Sequence, residues 1–187
     1  MPTAPVSRPL VWVDLEMTGL DLDKDTIIEI ACIITDGDLN PVEEQLDLVI
    51  HHPRSVMDNM NEWCIEHHGE SGLTQAVLDS TLSLADAEKQ VLEYVKRYAP
   101  TVRSGVLAGN SVHVDRQFLC KYMPTLVEHL HYRIVDVSTV KELGMRWYPE
   151  FSGKMPRKKM AHRALGDILE SIEELKWYRA NVFRKDL

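Results

Sequence analysis

Two carboxylates near the N-terminus are the first side chains whose spacing suggests chemistry. Asp14 and Glu16 come at the end of the apolar run that starts at residue 10, which predicts a buried strand. Side chains alternate along a strand, so residues two apart point to the same face. Two carboxylates there repel each other and lose hydration, which favours a bound cation. The alternative is that the strand ends at Asp14 and that both acids are solvated.

Three further residues, far apart in the sequence, would complete such a cation site. Asp115 lies at the start of a predicted helix, and Asp167 lies in the first turns of the last helix, five residues after His162. Residues five apart in a straight helix are separated by about 140°, so His162 and Asp167 converge only if His162 precedes the regular helix. Four carboxylates suit two Mg²⁺ or Mn²⁺ ions, which stabilise the attacking and leaving oxygens of a phosphoryl transfer. A histidine can take the proton of the attacking water near neutral pH.

The hydrophobic pattern predicts the elements that must bring these residues together. Three strands in quick succession favour an antiparallel meander, and the pattern then changes to the helical period. The predicted strands are 10–14, 27–36, 46–50, 106–109 and 132–137, and the predicted helices are 83–98, 114–122, 138–147 and 161–181. This order indicates one α/β domain over 1–187, with its core at about 10–183 and a mixed sheet flanked by helices.

The composition excludes several classes of protein. The 187 residues are 44% hydrophobic and 27% charged, which rules out a disordered or fibrous chain. The formal net charge of −8 argues against a protein that coats long nucleic acid or an anionic membrane, because both need a basic surface. The three cysteines show no CxxC spacing, and no apolar run reaches about 18 residues. We therefore expect an intracellular protein with neither a cysteine zinc site nor a membrane span.

Three segments around the candidate residues resemble the motifs of the DEDDh 3′→5′ exonucleases. They are DLEMTGL at 14–20, AGNSVHVD at 108–115 and HRALGDI at 162–168. Together with HYRIVDVSTVKEL and RWYP, they are similar to the oligoribonuclease family in particular, and to its eukaryotic members more than to its bacterial ones. The resemblance implies an RNase H-like fold of the exonuclease family. It also implies hydrolysis of very short RNA, especially dinucleotides, to 5′-mononucleotides.

The resemblance also implies roles for the candidate residues. By position, two Mg²⁺ or Mn²⁺ ions would be held by Asp14, Glu16, Asp115 and Asp167, and the general base would be His162. The family commonly has an acid beside the final aspartate, where this chain has Gly166. This departure leaves Asp167 as the acid able to fill the role. A glycine also costs about 1 kcal/mol relative to alanine in a helix interior.

The same resemblance predicts how a short RNA is held. The matching positions are Ser111, Arg133 and Ser138 for the terminal 5′-phosphate, Leu20 and Trp63 for the bases, and Tyr132, which would reach into the partner's site of a homodimer. A closed phosphate pocket would explain a preference for the shortest substrates. From the residues alone, Ser138 and Thr139 are typical of a helix cap, and Trp63 is typical of ordinary packing.

Other functions are also compatible with the sequence. A proofreading-type exonuclease of the same fold would prefer longer DNA or RNA. A non-catalytic RNA-binding protein would keep the fold alone, but the intact set of candidate catalytic residues argues against it. An oxidoreductase with a nucleotide cofactor is disfavoured because no GxGxxG follows the first strand. Since eukaryotic members of the family can be mitochondrial, cytosolic or nuclear, we expect a cytoplasmic or mitochondrial location, with the nucleus open.

Two other clusters have simpler explanations than a site. The histidines His67 and His68, like His129 and His131, lack a convergent metal-ligand spacing, so we expect surface or capping roles. The basic group at 154–159 is typical of a solvated loop, although it would also guide an anionic substrate at low salt.

Overall fold

A five-stranded mixed sheet forms the centre of the fold. The computed structural model describes residues 5–151, 154 and 163–183. The strands are β1 Leu10–Met17, β2 Ile27–Thr35, β3 Leu46–Val49, β4 Val106–Gly109 and β5 Ile134–Asp136. Their order in the sheet is β3-β2-β1-β4-β5. β1, β2 and β3 form an antiparallel meander, whereas β4 is parallel to β1 and β5 is parallel to β4, so the predicted mixed sheet is confirmed.

Eight α-helices occur among the described residues. They are α1 Arg54–Met57, α2 Glu62–Glu70, α3 Leu73–Asp79, α4 Leu84–Tyr98, α5 His113–Tyr122, α6 Pro124–His129, α7 Val137–Trp147 and α8 Ala164–Asn181. The sequence predicted α4, α5, α7 and α8, but residues 161–162 of the last prediction lie outside the described residues. It missed α1, α2, α3 and α6, because each has nine residues or fewer and shows no clear helical period. Within the described part of the chain, every helix is too short or too polar to cross a membrane.

Alternation along β1 divides its side chains between two cores. The larger core, on the side of α4, α5 and α6, receives Val11, Val13 and Leu15. The opposite face receives Trp12, which packs with α8 and with the start of α7. Asp14 and Glu16 share the parity of Trp12, so they lie on the face that α8 covers.

β1 continues three residues beyond its predicted end at Asp14. Its pairing with β2 extends through Glu16 opposite Glu29 and ends at Met17, after a register shift. Its pairing with β4 ends earlier, at Trp12. Asp14 and Glu16 therefore lie within a strand that has β2 on one side only, and the alternative that the strand ends at Asp14 is wrong.

Candidate functional site

β1 and α8 bring three acidic side chains together. One carboxylate oxygen from each of Asp14, Glu16 and Asp167 lies within 4.8 Å of the other two. Asp14 and Glu16 share one face of β1, and Asp167 lies in the first turn of α8, which packs on that face. Because hard oxygen donors at such spacing are what Mg²⁺ and Mn²⁺ prefer, this acidic cluster fits a divalent cation.

Asp115 lies beside the acidic cluster and contacts the backbone of β1. The Leu15 amide N–H donates to Asp115 Oδ1 at 3.0 Å. That amide lies between Asp14 and Glu16, beyond the point where β4 stops pairing with β1. α5 therefore brings a fourth, buried carboxylate to the same end of β1. The role of Asp115 as a metal ligand stays a prediction.

Burial and mutual repulsion oppose ionisation of this site. Burial, followed by the negative charges of Glu29 and Asp167, raises the pKa of Glu16 from 4.5 to about 8. Burial also raises the pKa of Asp115 from 3.8 to about 7, although the hydrogen bond from Leu15 opposes the shift. A bound cation would favour the charged carboxylates and reverse both shifts. The electrostatics therefore agree with the spacing in favouring a metal site.

An ion pair between a buried acid and a partly exposed arginine, which the sequence analysis missed, fixes the start of α8. Glu29 is fully buried in β2, and its Oε1 accepts from Arg163 Nε at 2.8 Å, with Arg163 Nη2 at 2.6 Å. The Ala164 amide donates to Glu29 Oε2 at 3.2 Å. These contacts hold the first turn of α8, and with it Asp167, against β2, in which Glu29 pairs with Glu16 of β1. The sequence feature that could have indicated this ion pair was Glu29, a single acid within the apolar run 27–34.

His162, the predicted general base, lies outside the described residues. Its direction and its distance from Asp167 therefore stay predictions. The N-cap of α8 is Arg163, one residue later in the chain. Of the basic group at 154–159, the described residue is Lys154, which is exposed as predicted.

Leu20 and Trp63 line an open cavity of about 350 Å³ that also contains Glu16. Their side chains are 73% and 52% exposed, so ordinary core packing does not account for Trp63. The Trp63 ring stacks on His67 with ring centroids 3.9 Å apart. An exposed apolar side chain and an exposed indole beside an acidic cluster can contact the bases of a nucleic acid whose phosphate lies at the cluster.

His68 lines the same cavity, so the surface or capping role predicted for it is wrong. The residue is buried, and its Nε2–H donates to the Met17 carbonyl at 3.0 Å. Its Nδ1 lies 4.0 Å from Glu16 Oε2. The unpredicted helix α2 thus brings both Trp63 and His68 to the end of β1.

Ser111 and Ser138 meet at Asp136, where the parallel strands β4 and β5 end. The Ser111 N–H donates to Asp136 Oδ1 at 2.9 Å. Ser138 donates to the same oxygen from its amide at 2.9 Å and from its hydroxyl at 2.6 Å. The N-cap of α7 is therefore Asp136, and the alternative interpretation of Ser138 and Thr139 as the cap is wrong. We call Asp136 with these two serines the Asp136 centre.

Arg133 and Tyr132 lie outside the Asp136 centre. Both are exposed and precede β5, at the end of this short strand opposite Ser138. The Arg133 guanidinium lies over the Tyr132 ring, 5.4 Å from its centroid. No described hydrogen bond or ion pair joins Arg133 to either serine, so its part in a phosphate site stays a prediction.

Known proteins resemble this chain over most of its length. Residues 11–175 match the RNase_T exonuclease family. The Homo sapiens protein "Oligoribonuclease, mitochondrial" is 56% identical over 182 residues, which cover 97% of this chain and 76% of that protein. A "Probable oligoribonuclease" of Dictyostelium discoideum is 58% identical over 180 residues, which cover 95% of this chain and 92% of that protein.

The solved structure of exonuclease I from Methylocaldum szegediense shares the fold, with a TM-score of 0.71 at 22% identity. The match covers 93% of this chain, which spans 41% of that longer enzyme. Identity above one half over nearly the whole chain is much more specific than this shared fold. The chain therefore belongs to the oligoribonuclease family, metal-dependent exonucleases that remove nucleotides from the 3′ end of short RNA.

Proposed function

We propose that this chain degrades very short RNA, especially dinucleotides, to 5′-mononucleotides with two Mg²⁺ or Mn²⁺ ions. The observation that carries the proposal is the approach of Asp14, Glu16 and Asp167 to within 4.8 Å of one another. These three carboxylates and Asp115 would hold the ions. When bound, the cations supply positive charge to the attacking and leaving oxygens of the phosphodiester. His162 takes the proton of the attacking water.

The cavity between Leu20 and Trp63 positions the bases. Because it contains Glu16, a base stacked on the exposed Trp63 ring has its phosphate close to the acidic cluster. Stacking on an aromatic ring contributes about 1–3 kcal/mol per base, so Trp63→Ala is expected to raise KM for a dinucleotide about tenfold. Steady-state kinetics measure this, with Ile65→Ala as the control, since Ile65 is an exposed apolar residue of the same helix outside the cavity. An unchanged KM in Trp63→Ala would contradict the stacking role.

Ser111, Arg133 and Ser138 bind the 5′-phosphate of the substrate in this proposal. The meeting of the two serines at Asp136 supports a common phosphate subsite, in which the Ser138 hydroxyl would turn from Asp136 Oδ1 to the phosphate when substrate binds. A subsite closed in this way would collide with a further nucleotide, which gives the preference for dinucleotides. The net charge of −8 agrees, because a dinucleotide offers little backbone to bind.

The decisive experiment is product analysis on a ladder of 5′-labelled RNA, with and without Mg²⁺ or Mn²⁺. The proposal predicts stepwise shortening from the 3′ end, fastest turnover of the dinucleotide, and no product when a chelator removes the metal. Faster cleavage of a twenty-mer than of a dinucleotide would instead favour a proofreading-type exonuclease acting on longer DNA or RNA. Failure of both metals to yield any mononucleotide would favour a non-catalytic RNA-binding protein.

The proposal includes a homodimer in which Tyr132 contributes to the partner's site. Tyr132 is 68% exposed, which leaves its ring accessible to a second copy. A second apolar surface supports association: Trp147 and Phe183 are exposed beside a groove of about 150 Å³ between α7 and the end of α8. Exposed apolar surface of this kind is typical of protein interfaces.

Subunit complementation tests this arrangement. Tyr132→Ala and Asp14→Ala are each expected to lose activity, and mixing the two should restore part of it, because a mixed dimer contains one site with all its acids and a partner's Tyr132. The matched control mixes Asp14→Ala with Asp167→Ala, which cannot form an intact site. Absence of restoration in a mixture shown by ultracentrifugation to contain dimers would contradict a role for Tyr132 across the interface.

The location of the protein is also a proposal. The human relative carries the word mitochondrial in its name. We propose a mitochondrial or cytoplasmic location, with the nucleus as the remaining possibility, and subcellular fractionation with an antibody to the native protein distinguishes the three.

A further inference from the structure

We propose that Asp136 is a positioning residue that sets the preference for a 5′-phosphate, because it fixes Ser111 and Ser138 in one arrangement. This inference rests on the proposed function, since it takes these serines as the phosphate contacts. The resemblance gave no role to Asp136. The observation behind the inference is that one carboxylate oxygen, Asp136 Oδ1, accepts three hydrogen bonds at 2.6–2.9 Å.

The three bonds join segments that are otherwise separate in the chain. Ser111 lies 25 residues before Asp136 and follows β4, while Ser138 begins the next helix after β5. β4 and β5 are parallel neighbours, so their carboxyl ends lie side by side, the place where α/β sheets commonly bind ligands. The Asp136 side chain is only 9% exposed, which makes these bonds hard for water to replace. Asp136 thus fixes the relative position of the two serines.

The backbone of Ser111 depends on this contact in particular. Its φ is 57°, in the left-handed region that residues other than glycine rarely adopt. A residue keeps such a conformation when surrounding contacts determine it, and the described contact of the Ser111 amide is Asp136 Oδ1. Without the carboxylate, the turn can relax to an ordinary conformation and move the Ser111 hydroxyl away from Ser138.

A carboxylate beside a phosphate is electrostatically unfavourable, so geometry rather than charge must explain its presence. All three hydrogen bonds go to Oδ1, and the other oxygen, Oδ2, lies 3.6 Å from the exposed imidazole of His113. An asparagine can keep the accepting oxygen while it removes the negative charge. Asp136→Asn is therefore expected to preserve the arrangement that Asp136→Ala destroys.

The experiment compares kcat/KM for a diribonucleotide with a 5′-phosphate and for the same compound with a 5′-hydroxyl. Measuring the ratio on each variant cancels any loss of folded enzyme. The wild-type protein is expected to prefer the phosphorylated substrate, and Asp136→Ala should lower that ratio about tenfold, mainly through KM, as expected for loss of a hydrogen bond to a charged group. Asp136→Asn should stay within about threefold of the wild-type ratio.

Two further variants separate positioning from helix capping and from general damage. Asp136→Ser retains a good N-cap for α7 but is too short to reach Ser111, so its ratio should fall with that of Asp136→Ala while its melting temperature stays closer to wild type. Asp36→Ala is the matched control, because the Asp36 carboxylate also accepts two backbone amides, those of Asp38 and Asn40, in a turn away from the site. Its ratio should not change.

The outcomes distinguish this inference from the function on which it rests. If the wild-type protein shows no preference for the 5′-phosphate, the phosphate part of the proposed function fails and this inference fails with it. If the wild-type protein shows the preference and Asp136→Ala and Asp136→Ser keep it, this inference alone fails. A ratio in Asp136→Asn as low as that in Asp136→Ala would also overturn it, because charge rather than geometry would then be the cause.

Discussion

The acidic cluster and the Asp136 centre use the same chemical group in opposite ways. In the cluster, Asp14, Glu16 and Asp167 face one another, and burial, followed by the negative charges of Glu29 and Asp167, raises the pKa of Glu16 to about 8. In the Asp136 centre, a nearly buried carboxylate is surrounded by donors from the chain itself. The first arrangement needs a cation from solution, whereas the second is complete without one. A carboxylate therefore stabilises or destabilises this fold according to its neighbours, and the chemistry is expected at the destabilising group.

The largest expected effect is the loss of activity when the cluster is broken. Asp14→Ala and Asp167→Ala should each lower kcat by about 10³-fold or more, because charge stabilisation of the reacting phosphate is lost. The melting temperature of the metal-free variants should equal or exceed that of the wild-type protein, since a like charge has been removed from a repelling group. Single-turnover assays and thermal melts measure both quantities.

Asp23→Ala is the control for these variants, because Asp23 is an exposed acid of the loop after β1. It should leave both quantities unchanged. Wild-type rates in Asp14→Ala would reject the nuclease assignment, and marked destabilisation of the metal-free variants would reject the repulsion argument.

The next effect is the pH dependence of stability without metal. Glu16 has a pKa of about 8 in the folded protein against 4.5 ordinarily, and Asp115 has about 7 against 3.8, so the folded state holds these protons more tightly than the unfolded chain. Their contribution is complete at low pH and is lost as the pH rises from about 4 to 8. The metal-free melting temperature should fall across this window, by about 5 °C or more.

Divalent metal should stabilise the protein to a degree that depends on pH. Because protons compete with the cation for the carboxylates, Mg²⁺ or Mn²⁺ should raise the melting temperature more at pH 8 than at pH 6. A Glu16→Gln variant should show a smaller pH dependence than the wild-type protein. Equal stabilisation by metal at both pH values would contradict the assignment of the raised pKa values to a metal site.

A smaller change in stability, opposite in sign to that of the metal-free cluster variants, is expected at the Asp136 centre. Asp136→Ala removes the N-cap of α7 and the acceptor of the Ser111 amide, so it should lower the free energy of unfolding by about 1–2 kcal/mol. Denaturant titration with and without Mg²⁺ measures this loss, which should be present in both conditions. Stabilisation by Asp136→Ala would remove the contrast between the two carboxylate arrangements.

The smallest expected effect concerns Gly166, which precedes Asp167 in α8. Among the described residues, no atom would lie within 4 Å of a Cβ at this position, so alanine fits there without a clash with them. Gly166→Ala should stabilise the protein by about 0.5 kcal/mol through helix propensity, while kcat/KM for a dinucleotide stays unchanged. A strong fall in activity would show that the glycine itself serves the cluster.

Hydrophobic patterning was enough to predict the strands and the longer helices of this fold. The apolar runs of β1 and β2 and the helical period of α4 are set by which side chains must leave water, and each can be recognised within a single segment. The same logic placed Asp14 and Glu16 on one face of β1. The motif residues around them indicated the family before any geometry was known.

The fold showed how the predicted residues reach the site and which further groups join them. Trp63 and His68 reach the cavity through α2, a helix too short to be predicted from its periodicity. The contact between Ser111 and Asp136 joins two strand ends that are distant in the chain. Glu29 was visible as an acid in an apolar strand, but its partner Arg163 was not. The local sequence indicates which side chains are buried and with what period. Contacts between distant segments depend instead on the register of the sheet and on the packing of α8 across it, and no single segment determines either.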